Sequence, residues 1–408
     1  MNATRRSVLT VLGSVGMMGS LTLGSNQHLE ASRDDRSAPI EPIFSYPTVG
    51  ASDDVHERTV RDLLIRAVPG TAVHLTTFTF TRPPLARACI AAADRGVDIH
   101  LLLDDNSVGA DATQLLRKQL GDRVSITEDG AIGHNNNHNK FLLVERLTTG
   151  ESNVVWQSTS NFTRKQLYRH NTSVVFREDD TLYDIYRHYW NELAAGNTDL
   201  DYNRIEETDS ATVYFSPRSD IDTHLEALRN VVPGPDTTIR FMNSIWNTNR
   251  LAVVNRLAEL IEQECRVEVI LNESESTVGP NLRGAGAAVL EYPDISLSDG
   301  TGSEIPPNVH SKNMLIDADF DIGRGKTERR KLVFTGSQNL SGPGLSDNDE
   351  TFLQIEDDDV YCTFLADWKL VHEQGTRLSN RGAASLTRPR PEHVLESVEC
   401  ASSTSRRL

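Results

Sequence analysis

The residues whose types and spacing suit chemistry fall in two short stretches. In one, His310 and Lys312 stand two positions apart, ahead of an apolar run, the carboxylate of Asp317 and the turn Gly336-Ser337-Gln338-Asn339. In the other, His138 and Lys140 precede a similar run, then Glu145 and the turn Ser158-Thr159-Ser160-Asn161. Residues i and i+2 of an extended segment point to the same side. Each stretch therefore offers an imidazole and an ammonium to one pocket, while the apolar run carries the strand into a core. A lone His-x-Lys is weak, because short patterns recur by chance. Two copies in register within a larger duplication are strong.

Two imidazoles and two ammonium groups suit cleavage of a phosphodiester with no metal or other cofactor. One histidine, neutral, attacks phosphorus, and the other, protonated, gives its proton to the leaving alcohol. Water or a second alcohol then opens the phosphohistidine, with the second histidine acting as base. Lys140 and Lys312, aided by Asn161 and Asn339, would hold the non-bridging oxygens as charge shifts onto them. Thr159 and Ser337 would donate further hydrogen bonds. Glu145 and Asp317 lie across an apolar run from their lysines and read better as buried structural acceptors than as catalytic groups. His134, four before His138, mimics a metal-binding pair. Gly133 and the three intervening asparagines disfavour the helix such a pair needs, so no metal site is assigned.

The paired motifs resemble those of the phospholipase D superfamily. The second stretch fits the pattern HxKxxxxD…GSxN at every defined position. The first departs at two, with Glu145 for Asp and Ser158-Thr159 for Gly-Ser, and keeps a carboxylate and a hydroxyl. The resemblance covers nearly all of residues 55–375. It implies an α/β protein of two similar α/β/α lobes with pseudo-twofold symmetry and one active site at their interface. In much of the family the N-terminal motif supplies the nucleophile, which implies attack by His138 and proton donation by His310. Family members commonly place a carboxylate after the second turn to orient the motif histidine. Glu350 stands there, eleven residues after Asn339, where the first lobe offers Asn171. As a partner of His310, Glu350 would raise that imidazole's pKa and favour it as the donor.

The elements that must position these groups repeat as well. In the first lobe a helical pattern through Val60, Leu63, Leu64 and Ala67 ends at Pro69-Gly70. A strand over 72–80, a helix from Pro83 to about Asp94, a strand over 97–103, a helix near 110–120 and a strand over 124–127 follow. A polar loop, 128–137, then reaches His138. In the second lobe the matching pieces are a helix over 223–231, a strand over 237–246, a helix over 251–264 and a strand over 266–271. A loop rich in Gly and Ser, about 273–287, stands where the first lobe starts its next helix. After each motif, acidic turns precede aromatic sets at i, i+3 and i+7. These are Tyr183, Tyr186 and Trp190, then Tyr361, Phe364 and Trp368, and they read as core packing on one helix face. The offsets between copies are 172 residues for the histidines and 178 for both the asparagines and the tryptophans, a drift that loop insertions produce.

The chain of 408 residues is long enough for two domains with full cores, at 38% hydrophobic and 24% charged residues. Residues 47–200 and 210–378 read as the lobes, joined by a linker at about 197–213. Residues 32–46 read as a loose leader broken by prolines. Residues 1–31 read as a twin-arginine signal: Arg5-Arg6 precede an apolar stretch to Leu23, shorter than the roughly 20 residues of a membrane helix. Residues 379–408 read as a tail, loose or strapped by Cys400. Cys89 and Cys265, near helix ends, read as buried thiols, although four cysteines allow three full disulfide pairings.

A net charge of −17 disfavours nucleic acid and anionic membranes. The first expectation is therefore an exported phospholipase D, a monomer without an obligate protein partner. It would act at a membrane or micelle surface, with the 273–287 loop and Trp246 as lipid contacts, although Trp246 suits a core equally. An exported metal-independent endonuclease shares every catalytic residue and is the alternative. A non-catalytic duplicate comes last, because both His-Lys-Asn sets are intact.

Overall fold

The computed structural model describes residues 40–292 and 305–381. The expected signal segment, the tail after residue 381 and the run 293–304 that approaches His310 lie outside these residues. Each lobe is built on one sheet, and the two sheets share a strand order. The first runs Ile40–Phe44, Thr172–Phe176, Ser152–Ser158, Lys140–Arg146, Ala72–Thr77, Asp98–Asp104 and Val124–Thr127. The second runs Ile205–Glu207, Thr212–Ser216, Glu350–Ile355, Thr327–Gly336, Lys312–Asp321, Thr238–Trp246, Arg266–Ser274 and Ala288–Glu291. In both, the strands before the motif pair in parallel, and the motif strand opens an antiparallel half.

Alternation along the motif strands explains the layering. Phe141 and Leu143 face a central core, whereas Leu142 and Val144 face an outer one. In the second lobe Leu315 faces the central core, and Met314 and Ile316 face outward. The outer faces are covered by the helices Val55–Arg66, Pro83–Asp94 and Asp111–Leu120 on one lobe. Leu251–Glu262 and Val278–Ala285 cover the other. The central core is shared by both lobes and holds the two helices that follow the motifs, Asp180–Ala195 and Asp358–Arg381. Tyr183, Tyr186, Trp190, Tyr361, Phe364 and Trp368 are all buried in it, as their spacing predicts. The acidic turns start these helices: the Asp179 carboxylate accepts from the Leu182 amide at 2.9 Å, and Asp357 accepts from Val360 at 2.8 Å.

Several expectations need correction. Residues 40–44 are an edge strand, not a loose leader, and pair with 172–176. An edge tolerates Pro42 because its missing N–H costs no ladder bond on the open side. The linker likewise holds the strands Ile205–Glu207 and Thr212–Ser216. The 273–287 loop contains a helix, Val278–Ala285. The helix over 223–231 stops at Ala227. Trp246 is fully buried in the outer core of the second lobe and meets no surface. Cys89 and Cys265 are buried free thiols, as expected, and Cys362 is disulfide-bonded. Among the described residues no helix is long and apolar enough to cross a membrane.

Candidate active site

Both motifs lead into the sheet at equivalent places. Lys140 and Lys312 are the first residues of their strands, with His138 and His310 just before. Each lysine turns back onto its own histidine. Lys140 Nζ donates to the His138 carbonyl, and Lys312 Nζ donates to the His310 carbonyl at 2.6 Å. Lys312 Nζ also lies 3.3 Å from His310 Nδ1. All four side chains are almost wholly buried.

The lobes exchange support at this point. The His138 amide donates to the Asp349 carbonyl at 3.0 Å, and the His310 amide donates to the His170 carbonyl at 2.8 Å. Asn308–Val309 pairs in parallel with Arg169–His170 across the lobe boundary. The residue following each of those carbonyls then reaches the histidine itself. Glu350 Oε2 lies 2.8 Å from His138 Nδ1, and Asn171 Oδ1 lies 3.1 Å from His310 Nδ1. The expectation that Glu350 serves His310 is therefore wrong. The carboxylate sits on the histidine of the opposite motif, because each strand after a motif ends against the other lobe. The Glu350 carboxylate accepts the hydrogen bond from Nδ1–H, which keeps the proton there and leaves the Nε2 lone pair of His138 free.

The hydroxyls of the two turns also differ from expectation. Thr159 Oγ1 accepts from the Thr172 amide at 2.9 Å and lies 3.3 Å from Asn171 Oδ1. Ser337 Oγ accepts from the Thr351 amide at 3.1 Å and bonds to Glu350. They brace the histidine partners Asn171 and Glu350. Asn161 and Asn339 are each under a tenth exposed with Oδ1 unpartnered, and the role expected of them, donation to a phosphoryl oxygen, would fall to Nδ2. Glu145 and Asp317 stand five residues beyond their lysines, about 17 Å along a strand. Glu145 accepts from the Ala72 amide at 2.9 Å, and Asp317 pairs with Arg329 at 2.7 Å. Both are structural acceptors, half-buried and not fully buried. His134 lies in an irregular loop, 3.9 Å from Asp347.

Sequence reasoning missed several neighbours. Thr77 and Asn243 sit directly across the strand from Lys140 and Lys312, so they share the face on which the lysines lie. Both are buried, and the Thr77 hydroxyl and both amide atoms of Asn243 are unpartnered. Their register with the motif strands was the one usable signal. Phe78 packs its ring 4.7 Å from His138 and lies 5.4 Å from Lys140 Nζ. Arg169 acts electrostatically on His310 and Lys312. The buried carboxylate of Asp104 acts on Lys140.

Burial dominates the titration of this cluster. It lowers His138 to about 4, against the opposing pull of Glu350. Burial, then Lys312, Arg169, Lys140 and His138, push His310 well below its ordinary value. Lys140 falls to about 7, and Lys312 falls well below its usual range, again chiefly by burial. Burial raises Asp104 to about 6.

A family model described as "Cardiolipin synthase, PLD-like domain" matches residues 63–194 and again 235–368. No curated protein sequence matches the chain. Among solved structures, the chain is similar to phosphatidylserine synthase from Haemophilus influenzae Rd KW20. That match has 13% identity and a TM-score of 0.52, covering 88% of this chain and 93% of that one. It is also similar to polyphosphate kinase from Porphyromonas gingivalis, with 14% identity and a TM-score of 0.54 over 88% of this chain. The chain spans about half of that kinase, 54%. At these identities the likeness concerns the fold.

Proposed function

Since the chain belongs to the phospholipase D-like family, whose model it matches twice, we propose that it is an exported phosphodiesterase of phospholipase D type. It releases phospholipid headgroups, or passes the phosphatidyl group to another alcohol, through a covalent phosphohistidine. The observation that carries this reading is the contact of His138 Nδ1 with Glu350. It fixes the tautomer a nucleophile needs and stabilises the charge that forms when Nε2 bonds to phosphorus.

His138 Nε2 attacks phosphorus, and the P–O bond to the leaving alcohol breaks. His310 protonates that oxygen. Burial, then the charges of Lys312, Arg169 and Lys140, depress His310 in the free site, and a bound phosphodiester offsets the charges. The lysines, Asn161 and Asn339 hold the non-bridging oxygens, with Asn243 and Thr77 beside them. His310 then takes a proton from water or alcohol as the P–N bond breaks. The lipid assignment rests on the net charge of −17, which works against a polyanionic substrate. Export rests on the Arg5-Arg6 start.

The test is product analysis in EDTA. Purified protein is given phosphatidylcholine and phosphatidylethanolamine vesicles with ethanol, beside single- and double-stranded DNA, with His138→Ala as control. Phosphatidic acid and phosphatidylethanol, absent with the variant, are expected. DNA fragments with intact lipid would move the assignment to a nuclease.

A further inference from the structure

Asp104 closes the strand Asp98–Asp104 and is wholly buried. Its carboxylate accepts three hydrogen bonds: from the Asn137 amide at 2.8 Å, the Asn106 amide at 3.1 Å and Asn106 Nδ2 at 2.6 Å. All three donors are neutral, and among the described residues no lysine, arginine or histidine bonds to it. Desolvating a carboxylate is costly, and neutral donors recover only part of that cost. Lys140 is in the complementary position. It too is wholly buried, and its Nζ donates to a neutral acceptor, the His138 carbonyl. Two carboxylates act on it through space, Glu350 and Asp104.

Asn137, whose amide Asp104 holds, directly precedes His138. Its Nδ2 donates to Thr76 Oγ1 at 2.9 Å, and its Oδ1 accepts from Asn139 Nδ2 at 3.2 Å. The second lobe supplies an internal comparison. Thr77 pairs with both Leu103 and Lys140, and Asn243 pairs with both Leu271 and Lys312. One residue further along, Asp104 of the first lobe corresponds to Asn272 of the second. A neutral amide fills the same place in the repeat, so the architecture alone does not demand a charge there. Glu350 and Asn171 differ in the same sense. Both carboxylates serve the His138–Lys140 half of the site, and both amides belong to the His310–Lys312 half. Lys312 has Glu350 alone against the cations Lys140 and Arg169.

We propose that Asp104 is a positioning residue of this site: its carboxylate holds the turn that delivers His138 and supplies negative charge that balances the buried Lys140 ammonium. The two lysines then have different duties. Lys140 carries its charge before substrate arrives, whereas Lys312 depends more on the charge that substrate brings. Asp105 is the charged neighbour of Asp104, and Lys140 in turn acts on His138, His310 and Lys312, so loss of its charge is felt across the cluster. The consequence for turnover rests on the diesterase reading, whereas the balance of charges does not.

The charge is tested first, without catalysis. The full protein is made with lysine isotope-labelled at Cε and titrated by NMR. The chain has seven lysines, and Lys140→Arg identifies the signal of interest. Wild-type Lys140 should titrate near 7. In Asp104→Asn it should titrate at least about half a pH unit lower, because a charge that favours the ammonium is gone. Asn106→Ala alters an exposed residue and removes a donor that favours ionised Asp104. It should move Lys140 the same way by less, even if the first variant fails to fold. An unchanged Lys140 midpoint in the variants that fold would overturn the assignment. The second arm follows kcat/KM for a diester from about pH 5 to 8. The deficit of Asp104→Asn should be largest above pH 6 and shrink below it, where Asp104 of the wild type, raised to about 6, is itself protonated. A deficit of equal size at every pH, as a merely structural role gives, would overturn the charge role. A shifted Lys140 with no diester turned over would overturn the diesterase and leave the pairing of charges.

Discussion

Glu350 and Asn171 hold equivalent positions in the two lobes and contact opposite histidines, yet they differ by a full charge. Glu350→Gln keeps the shape and removes the charge. It should lower kcat by about 10² to 10⁴, the range seen when an orienting carboxylate or a general acid–base partner is lost. Asn171→Ala acts on the proton-donor side. Its loss should be greater for alkyl diesters than for a p-nitrophenyl diester, whose leaving group needs no proton. Comparing the two substrates in stopped-flow assays separates the roles. The pH dependence of kcat/KM reports the free protein. His138 must be neutral to attack, and its pKa is lowered to about 4, so the acid limb lies near 4 instead of 6.5. His310 must be protonated to donate, and burial and its cationic neighbours hold its pKa well below the ordinary value, so the basic limb begins below pH 6.5 and steepens near 7, where Lys140 loses its charge. Glu350 raises the His138 pKa, so Glu350→Gln should move the acid limb lower still. Both His-Lys pairs and the two asparagines were legible in the sequence because their chemistry is local. The partner of each histidine was not, because the contact crosses 212 and 139 positions of chain.

The loop ahead of His138 is held by the other lobe, and this governs where the first motif sits. Asp349 accepts from the amides of Ala131, Ile132 and Gly133 at 2.7, 3.0 and 2.6 Å. The His134 amide donates to the Asp347 carbonyl at 3.0 Å, and Asn135 Nδ2 donates to Asn348 Oδ1 at 2.7 Å. A Cβ at Gly133 would meet the Asp347 carbonyl oxygen at 2.2 Å, so backbone must move. Gly133→Ala should destabilise by roughly 1–3 kcal/mol, the usual range for overpacking. It should also lower kcat, because the displaced loop carries His138. Urea unfolding and the activity of the folded fraction measure the two effects separately. Strands and helices near the motifs could be read from period and punctuation. The strand at Ile40–Phe44 could not, since Pro42 argues against regular structure until an edge position is known. The helix at Val278–Ala285 was hidden by three residues that disfavour helix, Gly279, Pro280 and Gly284.

At the scale of the molecule, the duplication was legible through offsets and repeated patterns, and the matching strand orders follow from it. The shared central core was legible only as aromatic stripes, since spacing says that a face is buried but not against what. Burial also shapes acid stability. His56, His138, His170, His224 and His310 are buried, and burial lowers the pKa of each. A lowered folded-state pKa means the unfolded chain binds more protons, so stability rises with pH through this window and is lost on acidification. For His56, shifted to about 4, the loss between pH 6.5 and 4 is on the order of 3 kcal/mol. Thermal unfolding should show a steep fall in Tm from pH 6.5 downward, and His56→Gln should make that slope shallower.

The central claim is that the two lobes form one site in which His138 takes the phosphoryl group and His310 moves the proton. The most direct measurement traps the intermediate. His310→Ala protein is given bis(p-nitrophenyl) phosphate, which needs no acid to expel its leaving group, and is quenched and mapped by mass spectrometry under conditions that preserve phosphohistidine. The account predicts a stoichiometric nitrophenyl-phosphoryl adduct on His138, slow to hydrolyse because the base for the second step is missing. Adduct on His138→Ala protein at His310 instead, with none on the His310→Ala variant, would contradict it.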